Sequence, residues 1–212
     1  GKINKVIRID SNQTTYYDYD TLVYNGTTGY LDFTYRMELG NSVPKDTTAF
    51  TYNGSGQITR INASGDSGNY WAMSHDVAYN GSGNITDIIL DASSVVGSPE
   101  GMAGSFKSMV WSAGNVTSVN LVVDFGGGEV TIELTGSYYT KNNFERHIGL
   151  SEASDLVWYY STNNMLNLTL ANDEPMVGAN AGDKAMERYY TYNANNEVVG
   201  ILLNRIRFYN FL

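Results

Sequence analysis

Tyr52-Asn-Gly-Ser-Gly-Gln-Ile58, with Thr59-Arg60-Ile61 behind it, returns almost letter for letter as Tyr79-Asn-Gly-Ser-Gly-Asn-Ile85 with Thr86-Asp87-Ile88. The order is an aromatic, a run of turn formers and then an aliphatic. Asn and Gly accept positive φ at little steric cost, so each stretch reads as a tight hairpin turn flanked by an aromatic and an aliphatic that pair across it. Looser copies are Tyr24-Asn-Gly-Thr-Thr-Gly-Tyr30, Trp111-Ser-Ala-Gly-Asn-Val116, Tyr139-Thr-Lys-Asn-Asn-Phe144, Tyr160-Ser-Thr-Asn-Asn-Met-Leu166 and Tyr192-Asn-Ala-Asn-Asn-Glu-Val198. The pattern predicts seven hairpins.

Their spacing sets the topology. The first five begin at residues 24, 52, 79, 111 and 139, steps of 28, 27, 32 and 28, and each step has room for two strands and two turns. Turns of an antiparallel meander alternate ends, so the hairpins should share one rim. The connections Gly40 to Thr47, Ala63 to Gly68, Ala92 to Gly104, Gly126 to Gly128 and Ala171 to Lys184 should then form the other, longer and more irregular rim.

Period-two alternation supports strands. Leu31, Phe33, Tyr35, Met37 and Leu39 are expected on one face, as are Val119, Leu121, Val123 and Phe125, answered by Val130, Ile132 and Leu134. One buried and one wet face argue against a parallel sheet. The fold class expected is all-β, an extended antiparallel meander forming a strongly curved open sheet or a barrel. It comprises a single domain over residues 1–212, least regular over 145–187, where Ser151-Glu-Ala-Ser-Asp155 suits a short helix.

Composition agrees. The chain has 212 residues, 42% hydrophobic and 17% charged, enough apolar content for a core. Its 22 Gly, 17 Tyr and 23 Asn against 3 Pro favour strands joined by polar turns. No apolar run approaches the roughly 20 residues of a membrane helix, so no membrane span is expected in this chain. The net charge of -9 would repel phosphate backbones, so nucleic acid is not an expected partner. The absence of cysteine removes thiolate nucleophiles, disulfides and cysteine-based zinc sites.

The Tyr-Asn-x-x-Gly-x-Ile-Thr-x-Ile form at Tyr52 to Ile61 and Tyr79 to Ile88, the variant Trp111 to Val119 and the degenerate Tyr192 copy resemble the YD-type repeats of bacterial surface proteins. Their order resembles a family of uncharacterised exported lipoproteins of Gram-negative gut commensals with a porin-like β fold. The resemblance implies an exported protein, periplasmic or at the cell surface and lipid-anchored in its precursor, with a porin-like sheet or barrel. The segment Leu150 to Lys184 departs from the pattern, and the lipid-bearing cysteine is not in this sequence. The family brings no catalytic residues.

No motif specifies an activity. Gly54-Ser-Gly56 and Gly81-Ser-Gly83 lack the third glycine of a dinucleotide loop and precede a strand, leaving no helix N-terminus for a pyrophosphate. Eight Asn-x-Ser/Thr triplets, including Asn53, Asn80 and Asn115, sit mostly in turns that want those residues for backbone reasons, and no glycan is assigned to them. His75 alternates with Trp71, Met73, Val77 and Tyr79 and reads as a packed or rim histidine rather than a ligand, and His147 has no partner set by its spacing. No Gly-x-Ser-x-Gly elbow occurs. No catalytic residue, metal or cofactor is expected.

Two features remain as routes to recognition. Asp18 and Asp20 share a strand face among tyrosines and could line a sugar site, or supply the paired acids of a carbohydrate-active enzyme on a concave face. The runs Trp158-Tyr159-Tyr160 and Tyr138-Tyr139 must point one ring each to the wet face, where flat, partly polar rings stack on sugars or proteins. Glu100 and Asp173 mark the two longest loops of the irregular rim. The leading expectation is a non-enzymatic envelope or surface domain that binds a glycan, peptide or envelope protein through that rim. Its binding residues are Trp158, Tyr159, Tyr138, Asp18, Asp20, Glu100 and Asp173. The rival is the carbohydrate-active enzyme.

Overall fold

The computed structural model describes residues 5–9, 17–38, 40–66, 70–97, 104–124, 128–142, 161, 163–173, 180–195 and 198–205. Within them thirteen strands form one sheet whose spatial order is the chain order. They are β1 (Lys5–Ile9), β2 (Tyr17–Tyr24), β3 (Leu31–Glu38), β4 (Asp46–Tyr52), β5 (Ile58–Asp66), β6 (Tyr70–Tyr79), β7 (Ile85–Leu90), β8 (Gly104–Ser112), β9 (Asn115–Asp124), β10 (Glu129–Asn142), β11 (Asn163–Leu170), β12 (Lys184–Tyr192) and β13 (Val198–Arg205). Eleven strands, β2 to β12, form the interior, with β1 and β13 at the edges. Every neighbouring pair is antiparallel, so the expected meander is the observed fold. The sheet is neither closed nor strongly curled, which corrects the expectation of a barrel or strongly curved sheet. Closure needs the first and last strands to hydrogen-bond at a fixed stagger. Among the described residues β1 pairs with β2 and β13 with β12. Local turns specify sequential neighbours, and none of them supplies a partner for an edge.

The repeated turn owes its shape to its asparagine. Asn53 Oδ1 accepts hydrogen bonds from the backbone N–H groups of Ser55 and Gln57, both at 3.0 Å, and Asn80 Oδ1 does the same for Ser82 and Asn84 at 3.0 and 3.1 Å. Gly56 and Gly83 close the turns at φ of 78° and 81°. The Trp111 copy is tighter: Ser112 pairs directly with Asn115 across Ala113 and Gly114, both at positive φ.

Each of these hairpins is followed or closed by a bulge. Thr51 pairs with Arg60 but Tyr52 with Ile58, so Thr59 is the extra residue. Asp32, Thr86, Thr117 and Val199 are the extra residues of the other four tight hairpins. A bulge shifts strand parity by one, so aliphatics three apart, which regular alternation would send to opposite faces, share one. Ile58 and Ile61, Ile85 and Ile88, and Val116 and Val119 are accordingly all at most 2% exposed. The Ile-Thr-x-Ile spacing is the sequence mark of this bulge. It also revises β3. Past Asp32, Leu31 shares its face with Thr34, both buried, whereas Phe33 and Tyr35 stand together on the other with ring centroids 6.2 Å apart. Leu39 and Phe125 lie outside the described residues. The expected faces of β9 and β10 hold: Val119, Leu121 and Val123 are buried against Leu134, Ile132 and Val130.

A second periodic device ties successive hairpins together. Tyr52 Oη donates to Leu31 O at 2.9 Å, Tyr79 Oη to Ile58 O at 2.8 Å, Trp111 Nε1 to Ile85 O at 2.7 Å and Tyr138 Oη to Val116 O at 2.5 Å. In the first three the aromatic before one turn reaches back to the first strand residue after the previous turn, and Tyr138, within β10, makes the same reach to Val116. Its ring also packs on the core, which runs as one cluster from Leu22 to Leu170. Fully burying each aliphatic in that cluster contributes about 1.5–3 kcal/mol.

Two expected hairpins lie only partly within the described residues, and there their turn asparagines are in strands: Asn142 ends β10, and Asn163 and Asn164 begin β11. The Asn163 and Asn164 side chains bond across the sheet. Asn115 Nδ2 donates to Asn163 Oδ1 at 3.0 Å, and Asn164 Nδ2 donates to Tyr192 Oη at 2.9 Å. Residues 143–160, including the expected helix at 151 and His147, are outside the described residues.

Candidate functional site

The two rims differ in what they leave available. On the hairpin rim Tyr52, Tyr79 and Trp111 are engaged in the latches, while Tyr30 is 40% exposed. On the other rim, connections between neighbouring strands leave Val43, Tyr70 and Val96 between 51% and 72% exposed. The β7–β8 connection is anchored before it reaches solvent. Asp91 caps a single 3-10 turn, Ala92–Ser94, and accepts Arg60 Nη2 at 2.7 Å; Ser94 Oγ accepts the Ser74 N–H at 2.7 Å; Val96 bridges Ala72. Val96 is therefore presented by a fastened support.

The same rim holds a polar groove of about 250 Å³ lined by Asn120, Thr131, Ile132, Glu133, Asn172 and Asp173. Asn120 of β9 and Glu133 of β10 are direct cross-strand partners, and Lys107 of β8 lies opposite Asn120. Alternation puts Glu133 and Thr131 on the wet face, opposite buried Ile132 and Leu134. The third wall comes from the β11–β12 connection. Ala171 N–H donates to Glu133 O at 2.9 Å, and Asn172 Nδ2 donates to Glu133 Oε2 at 3.2 Å. Asp173 Oδ1 accepts the Ala181 N–H at 2.8 Å, and Leu170 N–H donates to Asp183 O, which ties the two described ends of the connection together. Asp173, expected on this rim, is here. Asn120, Thr131, Glu133 and Asn172 were not singled out from sequence: 39 positions separate Glu133 from Asn172, and no local pattern announces their contact.

The other expected binding residues do not converge on this groove. Asp20, read from sequence as a residue that could line a sugar site, is buried at 5% exposure. It faces Arg36 across β2 and β3, with Arg36 Nε at 3.3 Å, and Asp46 takes Arg36 Nη1 at 3.4 Å. One guanidinium thus sits between two carboxylates in a lateral row that continues through Gly65 to buried Trp71. Asp18 backbone pairs with Arg8 and Glu38. Tyr138, expected as a recognition ring, is half-buried, its hydroxyl engaged with Val116 O. Glu100, Trp158 and Tyr159 lie outside the described residues.

His75 is packed, the first of the two placements that its alternation left open. It is 2% exposed, its Nε2 lies 3.1 Å from Gly104 O, and burial pushes its imidazole below the ordinary value. Among the described residues no three His, Cys, Asp or Glu side chains gather as metal ligands, and no helix is long and apolar enough to cross a membrane. A scan of protein-family models and a search of curated proteins each return no match to this chain.

Proposed function

We propose that this chain is a non-enzymatic recognition domain of the cell envelope or surface, binding a glycan, peptide or partner protein through its loop rim. The observation that carries the reading is the contrast between rims. The hairpin rim spends Tyr52, Tyr79 and Trp111 on internal hydrogen bonds, with Tyr30 and Val110 left exposed, and the other presents the more exposed Tyr70 and Val43 together with Val96 and a polar groove. Irregular connections held by a regular sheet are where binding residues collect. The likeness of the repeats to exported lipoproteins supports an envelope location and a lipid anchor in the precursor.

The rival reading, a carbohydrate-active enzyme with paired acids, has less support. Asp20 and Asp46 both face Arg36, and Asp20 is closed off from solvent. Glycan and peptide arrays probed with the wild type, with Tyr70→Ser/Val96→Ser/Glu133→Gln on the loop rim and with Gln57→Lys/Asn84→Lys on the hairpin rim test the proposal. Binding is expected to survive in the hairpin variant and to be lost in the loop-rim variant. The opposite result, or reducing ends released from a bound glycan and abolished by Asp20→Asn, would overturn it.

A further inference from the structure

We propose that the Asn-Gly pairs of the repeated turns are modification sites that react with water alone, each asparagine converting through a cyclic imide, and that Asn80 is the first to react. Three such pairs occur in the chain, Asn25-Gly26, Asn53-Gly54 and Asn80-Gly81, and each opens a tight hairpin, after β2, β4 and β6. They lie on the hairpin rim, away from the binding residues of the loop rim. Joining the nitrogen of the following residue to the asparagine Cγ closes a five-membered ring, so the two reacting atoms are held together by the chain itself. Gly81 N gives up its proton to water and bonds to Asn80 Cγ; the Cγ–Nδ2 bond breaks, and Nδ2 takes up a proton and leaves as ammonia. Water then opens the imide at one of its two carbonyls. Opening at the main-chain carbonyl reroutes the backbone through Cβ and Cγ as isoaspartate, and opening at the side-chain carbonyl leaves aspartate.

The folded turn keeps this path open. Asn53, Gly54, Asn80 and Gly81 are all exposed to water. Among the described residues no group accepts the Gly54 or Gly81 N–H, so the attacking nitrogen is not tied down. A Cβ placed on either glycine would meet nothing within 4 Å, and glycine itself brings no side chain against the nitrogen. The turn also assists the first step. As the new bond forms, negative charge gathers on Oδ1, which already accepts two backbone N–H groups: those of Ser82 and Asn84 at 3.0 and 3.1 Å for Asn80, and those of Ser55 and Gln57 at 3.0 Å for Asn53. Donors already aimed at a developing oxyanion lower the barrier to forming it.

The hold on the leaving amide sets the order. Asn80 Nδ2 has no partner among the described residues, whereas Asn53 Nδ2 donates to Gln57 Oε1 at 2.9 Å. Asn25 is half-buried, and its Nδ2 donates to the Asp32 carboxylate at 3.3 Å, a charged acceptor. The two products treat the hairpin differently. Aspartate keeps an oxygen for the Ser82 and Asn84 N–H groups. Isoaspartate lengthens the main chain and moves its carboxylate off the capping position, in a turn whose bulge sends both Ile85 and Ile88 to the core.

The test is peptide mapping by mass spectrometry of the folded chain kept in mildly alkaline buffer, beside the same chain in urea, with ammonia release followed in parallel. Conversion is expected in the folded chain, at Asn80 first, Asn53 next and Asn25 last, with both products present. Gly81 is not at positive φ, so Gly81→Ala is expected to keep the strand-type dichroism spectrum. It should slow conversion at Asn80 several-fold while Asn53 reacts as before. Hydrogen exchange at the Ser82 and Asn84 amides should stay slow in Asn80→Asp and become fast in the isoaspartyl fraction. Conversion confined to urea, Asn25 reacting before Asn80, or an undiminished rate at Asn80 in Gly81→Ala would overturn the proposal.

Discussion

Gly56 and Gly83 hold the same position in the same turn, at φ of 78° and 81°, yet a side chain at the two meets different surroundings. A Cβ on Gly56 would collide with the hydroxyl end of Tyr30, whose ring stacks on Tyr52 at 4.9 Å, whereas at Gly83 the nearest atom is Gln57 Nε2 at 3.5 Å. Gly83→Ala is therefore expected to cost the left-handed penalty of about 1–2 kcal/mol. Gly56→Ala should cost about 1 kcal/mol more, the worth of the disturbed ring pair, and urea denaturation of the two variants side by side checks the difference. His75 gives a pH dependence. Its folded-state pKa is lowered by burial, so below the unfolded value of 6.5 the unfolded chain takes up a proton before the folded one does. Stability from this group is complete above 6.5 and is lost as pH falls from there toward the folded pKa. Denaturation midpoints of wild type and His75→Phe between pH 8 and pH 5, about 1.5 units either side of the ordinary histidine value, should differ in slope, the wild type falling more steeply. Parallel slopes would show that His75 is not buried neutral.

At the scale of the element, the repeat is a hairpin, a bulge and a latch acting together. The bulge puts Ile58 and Ile61 in the core, and the latch from Tyr79 occupies the carbonyl of Ile58. Removing the hydroxyl in Tyr79→Phe keeps the ring and leaves that carbonyl without its donor. The expected loss is about 1 kcal/mol, read as a lower midpoint at unchanged m-value. Tyr52→Phe should behave likewise, because its bond to Leu31 O has the same place in the preceding repeat. The β7–β8 connection teaches the converse. Its length past Ala92 suggests slack, but Asp91, Ser94 and Val96 are bonded to Arg60, Ser74 and Ala72, so the part up to Val96 belongs to the sheet. The turn residues announced the hairpins, while those bonds join positions 20 to 31 apart and left no periodic trace.

For the whole molecule, the strand order β1 to β13 makes the sheet a one-dimensional stack in which each strand answers to its two neighbours. Tyr52 and Tyr79 are equivalent, so excising residues 53–79 joins Tyr52 directly to the Asn80 turn and brings β4 beside β7. Phe50 would then face Ile88 in the place Ile61 holds now. The shortened chain is expected to fold with an unchanged strand-type dichroism spectrum, whereas excising half that length should abolish folding, because it sends a strand the wrong way. The amino-acid sequence by itself determined the all-β class, the antiparallel meander, the two-rim division and five of the turns, since these follow from Asn and Gly conformation and from period-two patterning within a few residues. Tertiary structure alone decided that the sheet stays open, that Asp20 is buried against Arg36 and that Tyr138 is a latch. It also brought Asn172 to Glu133 beside Asn120. Those outcomes depend on which strands lie side by side and in what register, and a single bulged residue reverses the face of everything beyond it.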